Sequence, residues 1–114
     1  MAYLHKDLAL GRWRELTLKE QLGNIGSEVS RAARSQGKDA QRFEGAVRRA
    51  LELFDLTLED PRWRTRLREI ARAREVFCDA VFGGKKYGST LPRLVGYFDL
   101  FAVAARNSKE HASR

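Results

Sequence analysis

The chain has 114 residues, the length of one domain, and its 43% hydrophobic content is too high for a disordered segment. Its formal net charge is +7, with sixteen arginines against six lysines, which favours a polyanionic partner such as nucleic acid or the acidic surface of another protein. A single cysteine excludes an intrachain disulfide and no apolar run approaches the roughly 20 residues of a membrane span, so we expect a cytoplasmic protein without membrane contact.

Residues 1–16 have weak periodicity, which predicts an N-terminal arm or a short helix. The first long helix then begins at a T-x-x-E capping box, in which Thr17 and Glu20 satisfy each other's backbone amides. Apolar residues follow at spacings of three and four, as on one buried helix face. They are Leu18, Leu22, Ile25, Val29 and Ala32. Gly37 ends this helix.

Two further helices are marked by their first residues. Asp39 caps a second helix, predicted over about 40–59, which has a broad apolar face. A third helix is predicted over about 61–82, with Asp60 as N-cap and Pro61 at the first helical position, where the missing N–H costs nothing. The apolar face of this third helix consists of Trp63, Leu67, Ile70, Phe77 and Val81.

A fourth helix is predicted over about 91–106, capped by Ser89 or Thr90 and followed by a polar tail, 107–114. No stretch alternates between apolar and polar residues as a half-buried strand does. Four amphipathic helices with short connections predict an all-α fold, an antiparallel up-down-up-down four-helix bundle that occupies residues 17–106.

The third predicted helix carries six arginines but only one acidic residue between the first and the last of them. Arg64, Arg68 and Arg72 are four residues apart and form a row opposite the apolar face, with Arg62 and Arg66 on its flank. Like charges in such a row repel each other, which indicates a polyanion or a partner's acidic patch. A solvated, salt-bridged helix face remains the alternative. Four further cations extend the predicted nucleic-acid-binding surface: Arg48, Arg49, Lys85 and Lys86.

Arg74 differs from the other arginines because the helical geometry points it toward the apolar side. A guanidinium in that position requires a carboxylate partner. Glu28 on the first helix and Asp55 on the second are the candidates. We therefore expect Arg74 to form a structural ion pair.

The sequence contains no pattern typical of a metal or nucleophile site. His5 and His111 stand at opposite ends of the chain, and one cysteine does not build a zinc site. The glycine-rich stretch "FGGKKYGST" lacks the spacing of a phosphate-binding P-loop and follows no predicted strand, so it is interpreted as a helix connection. We expect no cofactor and no catalytic residue.

Two alternatives remain open. The string "RNSKEH", from Arg106 to His111, resembles the R-x4-H ribonuclease motif of HEPN domains, which are also small helical bundles. This resemblance implies that His111 acts as acid and base and that Arg106 stabilises the phosphate transition state. The other alternative is a protein–protein adaptor or antitoxin-like bundle whose arginine row meets an acidic protein.

Three segments carry a resemblance to a family: "EQLGNIGSEVSRAA", "ALELFDLTLEDPRWRTRLREIARAREVFCD" and "YGSTLPRLVGYFDLFAVAAR". Over residues 12–106 they are similar to the accessory variability determinants of diversity-generating retroelements, a group related to ribosomal intervening-sequence proteins. The resemblance implies a non-catalytic four-helix protein that assembles as a homopentamer. It also implies two partners, a reverse transcriptase and nucleic acid in the form of template RNA or an RNA/DNA hybrid.

Overall fold

The structure, a computed structural model, describes residues 11–100, and every regular element in this range is helical. In chain order the α-helices are α1 (Trp13–Glu15), α2 (Leu18–Ser35), α3 (Ala40–Leu58), α4 (Leu67–Val81) and α5 (91–100). The predicted all-α class is confirmed. The arm before residue 11, the predicted end of the fourth helix at 106 and the polar tail lie outside the described residues.

The helices α2 and α3 begin at the predicted caps. Thr17 Oγ1 accepts a hydrogen bond from the backbone N–H of Glu20 at 3.1 Å, and the Glu20 carboxylate accepts one from the N–H of Thr17 at 3.0 Å. Asp39 Oδ1 accepts a hydrogen bond from the N–H of Arg42 at 3.1 Å. Between the two helices Gly37 has a φ of 74°, a left-handed conformation that favours glycine. Local sequence therefore determines this connection.

The third predicted helix is not one continuous α-helix. Asp60 and Pro61 begin it as predicted, but residues Pro61–Arg66 form a 3-10 helix, and Trp63 departs from helical dihedral angles with φ −101° and ψ 23°. The α-helix α4 begins only at Leu67. Because the tighter first turn changes the angular position of the residues that follow, Leu67 is 38% exposed instead of lying in the core.

Phe54 is at the centre of the core, where three helices meet. Its ring is fully buried, with its centroid 5.9 Å from that of Phe77 on α4 and 6.0 Å from that of Phe98 on α5. The predicted apolar face of α2 lies against the same cluster, with Ile25 and Val29 completely buried. This packing holds the cation-bearing sides of the helices outward.

The backbones of α2 and α5 approach closely at Gly26. A Cβ atom at this position would stand 2.6 Å from the Cβ of Phe98, well inside van der Waals contact. We expect Gly26→Ala to lower the free energy of unfolding by about 1–3 kcal/mol, because overpacking outweighs the gain of about 1 kcal/mol in helix propensity. Urea unfolding measures the change.

Gly96 on α5 provides the matched control. A Cβ atom there would meet no atom of the described chain within 4 Å. We expect Gly96→Ala to raise the free energy of unfolding by about 0.5–1 kcal/mol, since only the propensity gain remains. A Gly26→Ala variant as stable as Gly96→Ala would contradict the close approach of the two helices.

Candidate nucleic-acid interface

Arg62, a predicted phosphate ligand, is bound by groups of the chain itself, although its side chain is 39% exposed. Its guanidinium donates from Nη2 to Asp60 Oδ2 at 2.7 Å and from Nε to Oδ1 at 3.1 Å, and Nη2 also donates to the carbonyl of Leu16 at 2.8 Å. The group lies 4.5 Å from the centroid of the Trp63 ring. These hydrogen bonds lower the pKa of the buried Asp60 carboxyl below its ordinary value and raise the pKa of Arg62.

A buried polar network continues from Asp60 through Gln21. The Gln21 amide donates to Asp60 Oδ2 at 3.3 Å and to the carbonyl of Trp13 at 2.8 Å, and it accepts a hydrogen bond from Trp63 Nε1 at 2.8 Å. Trp13 Nε1 donates to Thr57 Oγ1 at 3.1 Å. The network joins α1, α2, α3 and the 3-10 helix. The position of Gln21 beside the apolar stripe of α2 was the only sequence signal for it.

Two other predicted phosphate ligands form ion pairs. Arg66 contacts Glu69 at 2.9 Å, with both side chains exposed to water. Arg49 Nε donates to Glu28 Oε2 at 3.0 Å, and this carboxylate is nearly buried. The exposed pair contributes little and leaves Arg66 accessible, whereas the second pair fixes the guanidinium of Arg49 between α2 and α3.

Arg74 forms an ion pair that connects α4 to α3. Its Nε donates to Asp55 Oδ1 at 3.0 Å, and both side chains are about one-third exposed. Glu28, the other candidate partner, instead accepts hydrogen bonds from Arg31 and Arg49. Of the two candidate partners the structure therefore selects Asp55, because the Glu28 carboxylate lies between α2 and α3, where two other arginines reach it.

The outward arginine row is shorter than predicted. Arg68 and Arg72 lie one turn apart on α4 and are exposed. Arg64 is also exposed but belongs to the 3-10 helix, where three residues make a turn and a spacing of four no longer keeps a residue on the same line. Among residues 11–100, neither Arg64 nor Arg68 forms an ion pair.

The loop after α4 adds cations beside this row. The Asp79 carboxylate accepts hydrogen bonds from the backbone N–H groups of Lys86 and Tyr87, each at 2.9 Å, which folds the loop back on α4. The Tyr87 ring then contacts both Arg72 and Lys86, at 4.8 and 5.2 Å from its centroid, and its hydroxyl donates to Glu75 at 3.0 Å. The residues of this surface, called the α4 basic face below, are Arg68, Arg72, Lys85 and Lys86.

A second concentration of positive charge lies between α2 and α3. A groove of about 610 Å³ is lined by Arg31, Arg34, Ser35, Lys38, Asp39, Arg42 and Arg49. Arg48 is exposed next to Arg49 on α3. Sequence reasoning named Arg49 but did not bring these cations together in an α2–α3 groove, although a signal existed. Arg31 and Arg34 are three residues apart, Arg42 and Arg49 are seven apart, and each spacing keeps a pair on one helix face.

Comparison of the chain with protein families, with curated proteins and with solved structures finds no match. Within the described range, no group of three or more His, Cys, Asp or Glu residues is placed to hold a metal ion. None of the helices in the same range combines the length and the apolar character of a membrane span. Arg106 and His111, the residues of the alternative ribonuclease motif, lie outside it.

Proposed function

We propose that the protein is a non-catalytic nucleic-acid-binding protein that contacts phosphates through the α4 basic face. The observation that carries the proposal is the excess of cations there: in the described part of the chain none of the four forms an ion pair, and they outnumber the neighbouring carboxylates of Glu75 and Asp79. Cations on a helix and on the loop folded against it bind the phosphate backbone by displacing its condensed counterions. Such contacts position a strand without reading its sequence.

We also propose that the helices α2–α5 alternate in direction as a four-helix bundle. Contacts between α3 and α4 support this arrangement. Asp55 contacts Arg74, and Phe54, one residue earlier on α3, contacts Phe77, which is later on α4. From the first pair to the second, the residue number falls on α3 and rises on α4. This order of contacts is that of antiparallel helices.

The family resemblance of the sequence is the basis for proposing two partners, a reverse transcriptase and its template RNA or RNA/DNA hybrid. It is also the basis for proposing assembly as a homopentamer. Large apolar side chains that the described chain leaves exposed support an intermolecular contact. They are Leu67, Phe82, Tyr97 and Leu100. Light scattering tests the assembly, since a pentamer has five times the 13.0 kDa mass of the chain.

The charge reversal Arg68→Glu with Arg72→Glu tests the α4 basic face. We expect the affinity for a single-stranded RNA to fall about tenfold, because two phosphate contacts are lost and two repulsive charges replace them. The slope of log K against log salt concentration should become shallower by about 1.4, roughly 0.7 for each contact. Fluorescence anisotropy across a salt series measures both quantities.

The control is Arg14→Glu with Lys19→Glu, which changes the net charge equally at exposed residues of α1 and α2. If the α4 variant binds RNA as well as this control does, the α4 basic face is not the interface. Capture of one acidic protein without RNA binding would favour the adaptor alternative. Metal-independent RNA cleavage that is lost in His111→Ala would favour the ribonuclease alternative.

A further inference from the structure

Glu28 organises two of the arginines that line the α2–α3 groove. Its side chain is 9% exposed, and its carboxylate accepts hydrogen bonds from Arg31 Nη1 at 2.6 Å and from Arg49 Nε at 3.0 Å. A guanidinium carries five N–H donors, so one bond to Glu28 fixes its position and leaves other donors for a ligand. The buried carboxylate therefore holds both arginines in place on the groove wall.

The guanidinium of Arg49 has room on α3 because residue 45 is glycine. A Cβ atom at Gly45 would stand 3.3 Å from Arg49 Nη1 and 3.8 Å from Nη2. Glycine is unfavourable inside a helix, so its presence in α3 has a local cost. The absent side chain lets the guanidinium lie along the helix, between Glu28 and the open groove.

The groove has more cations than carboxylates. Five cations line it, whereas the carboxylates that contact them are Asp39, bound to Arg42 at 3.5 Å, and Glu28. Arg34 and Lys38 form no ion pair with any residue in the range 11–100. The groove therefore has an excess of three positive charges.

The exposure of these cations indicates a ligand with several negative charges. The Arg31 side chain is 56% exposed and that of Arg42 is 83% exposed, so a single small anion would form only weak, water-screened pairs. A chain of phosphates engages several cations together and releases several counterions. Guanidinium groups also match phosphate oxygens in forked geometry. These properties favour a chain of phosphates over an isolated anion.

We propose that the α2–α3 groove is a second phosphate-binding surface, which holds consecutive phosphates of a nucleic-acid strand. The identity of the strand rests on the proposed function, but the groove uses none of the residues of the α4 basic face. Inorganic polyphosphate has the same repeating charge without sugar or base, so the experiment compares the two ligands.

Arg34→Glu with Arg42→Glu tests the groove in the full chain. Both residues are exposed and lie outside the buried Glu28 cluster, so we expect the fold to be retained. The affinity for single-stranded RNA should fall about tenfold relative to Arg14→Glu with Lys19→Glu, and the salt slope should become shallower by about 1.4. Gly45→Ala shifts the Arg49 guanidinium by a few tenths of an ångström without changing the charge, and we expect it to weaken RNA binding by less than the double reversal does.

The outcomes separate this proposal from the proposed function. If both groove variants bind RNA as tightly as the control, the groove proposal is wrong. It is also wrong if only polyphosphate binding falls. If wild-type protein binds no RNA, the proposed function fails. If Arg34→Glu with Arg42→Glu weakens RNA binding and Arg68→Glu with Arg72→Glu does not, the groove proposal stands and the α4 basic face is excluded.

Discussion

Replacing Asp60 with alanine is expected to lower the free energy of unfolding by about 3 kcal/mol. The substitution removes the cap of the 3-10 helix and leaves the amide of Gln21 and the guanidinium of Arg62 without their shared acceptor. This loss of stability is at the lower end of the range for breaking a buried ion pair, because the Arg62 side chain is 39% exposed and water hydrates its charge. Urea unfolding at neutral pH measures the loss.

The matched control is Asp39→Ala. Asp39 also caps a helix by accepting a hydrogen bond from a backbone N–H, but it is exposed and joins no buried network. We expect its replacement to cost about 1 kcal/mol, the usual value of a cap. Equal losses from the two variants would contradict a stabilising role for the network around Asp60.

The pH dependence of Asp60→Asn gives a second measurement of the same interaction. The folded protein lowers the pKa of Asp60, so the charged form stabilises the fold above the ordinary value of about 3.9, and this stabilisation is lost as the pH falls through the folded-state pKa. The difference in stability between wild type and Asp60→Asn should therefore be full at neutral pH and shrink below about pH 4. A constant difference across this range would exclude a role for the Asp60 charge.

Helix faces and helix starts could be predicted because they depend on neighbours in sequence. The capping box of Thr17 and Glu20 and the cap at Asp39 are complete within four residues. The 3-10 helix before α4 could not be predicted in this way. In this 3-10 helix, Trp63 donates a hydrogen bond to Gln21, which is 42 residues away in the sequence. A pattern of neighbouring residues does not predict such a contact.

The charged site was predictable only in part, for a related reason. Periodicity gives the direction in which a side chain leaves the helix, but the long guanidinium side chain of Arg62 turns back to a carboxylate two residues earlier. The α2–α3 groove depends on the register between two helices. That register is visible in the contact of Glu28 with Arg49, and residue spacing within either helix does not determine it.

Reversing charge on both basic surfaces together is expected to lower the affinity for a long single-stranded RNA about a hundredfold. The variant combines Arg34→Glu and Arg42→Glu with Arg68→Glu and Arg72→Glu, and it measures whether one strand contacts both surfaces. If one strand contacts both surfaces, the free energies of the two losses, each of about tenfold, add, since the surfaces share no residue. Titration with RNA of about 16 nucleotides measures the combined loss, and titration with about 4 nucleotides should show a smaller one, because a short strand reaches only one surface.

A loss of positive net charge weakens RNA binding wherever it occurs on the protein. The combined variant therefore requires a control of equal net charge. Four reversals take the formal net charge from +7 to −1, and Arg14→Glu and Lys19→Glu joined to the α4 pair reach the same value while leaving the groove intact. We expect this control to bind long RNA about tenfold more tightly than the variant that lacks both surfaces, because the groove contacts persist. Equal affinities would mean that the long-range field of the protein, and not contact in the groove, accounts for the loss.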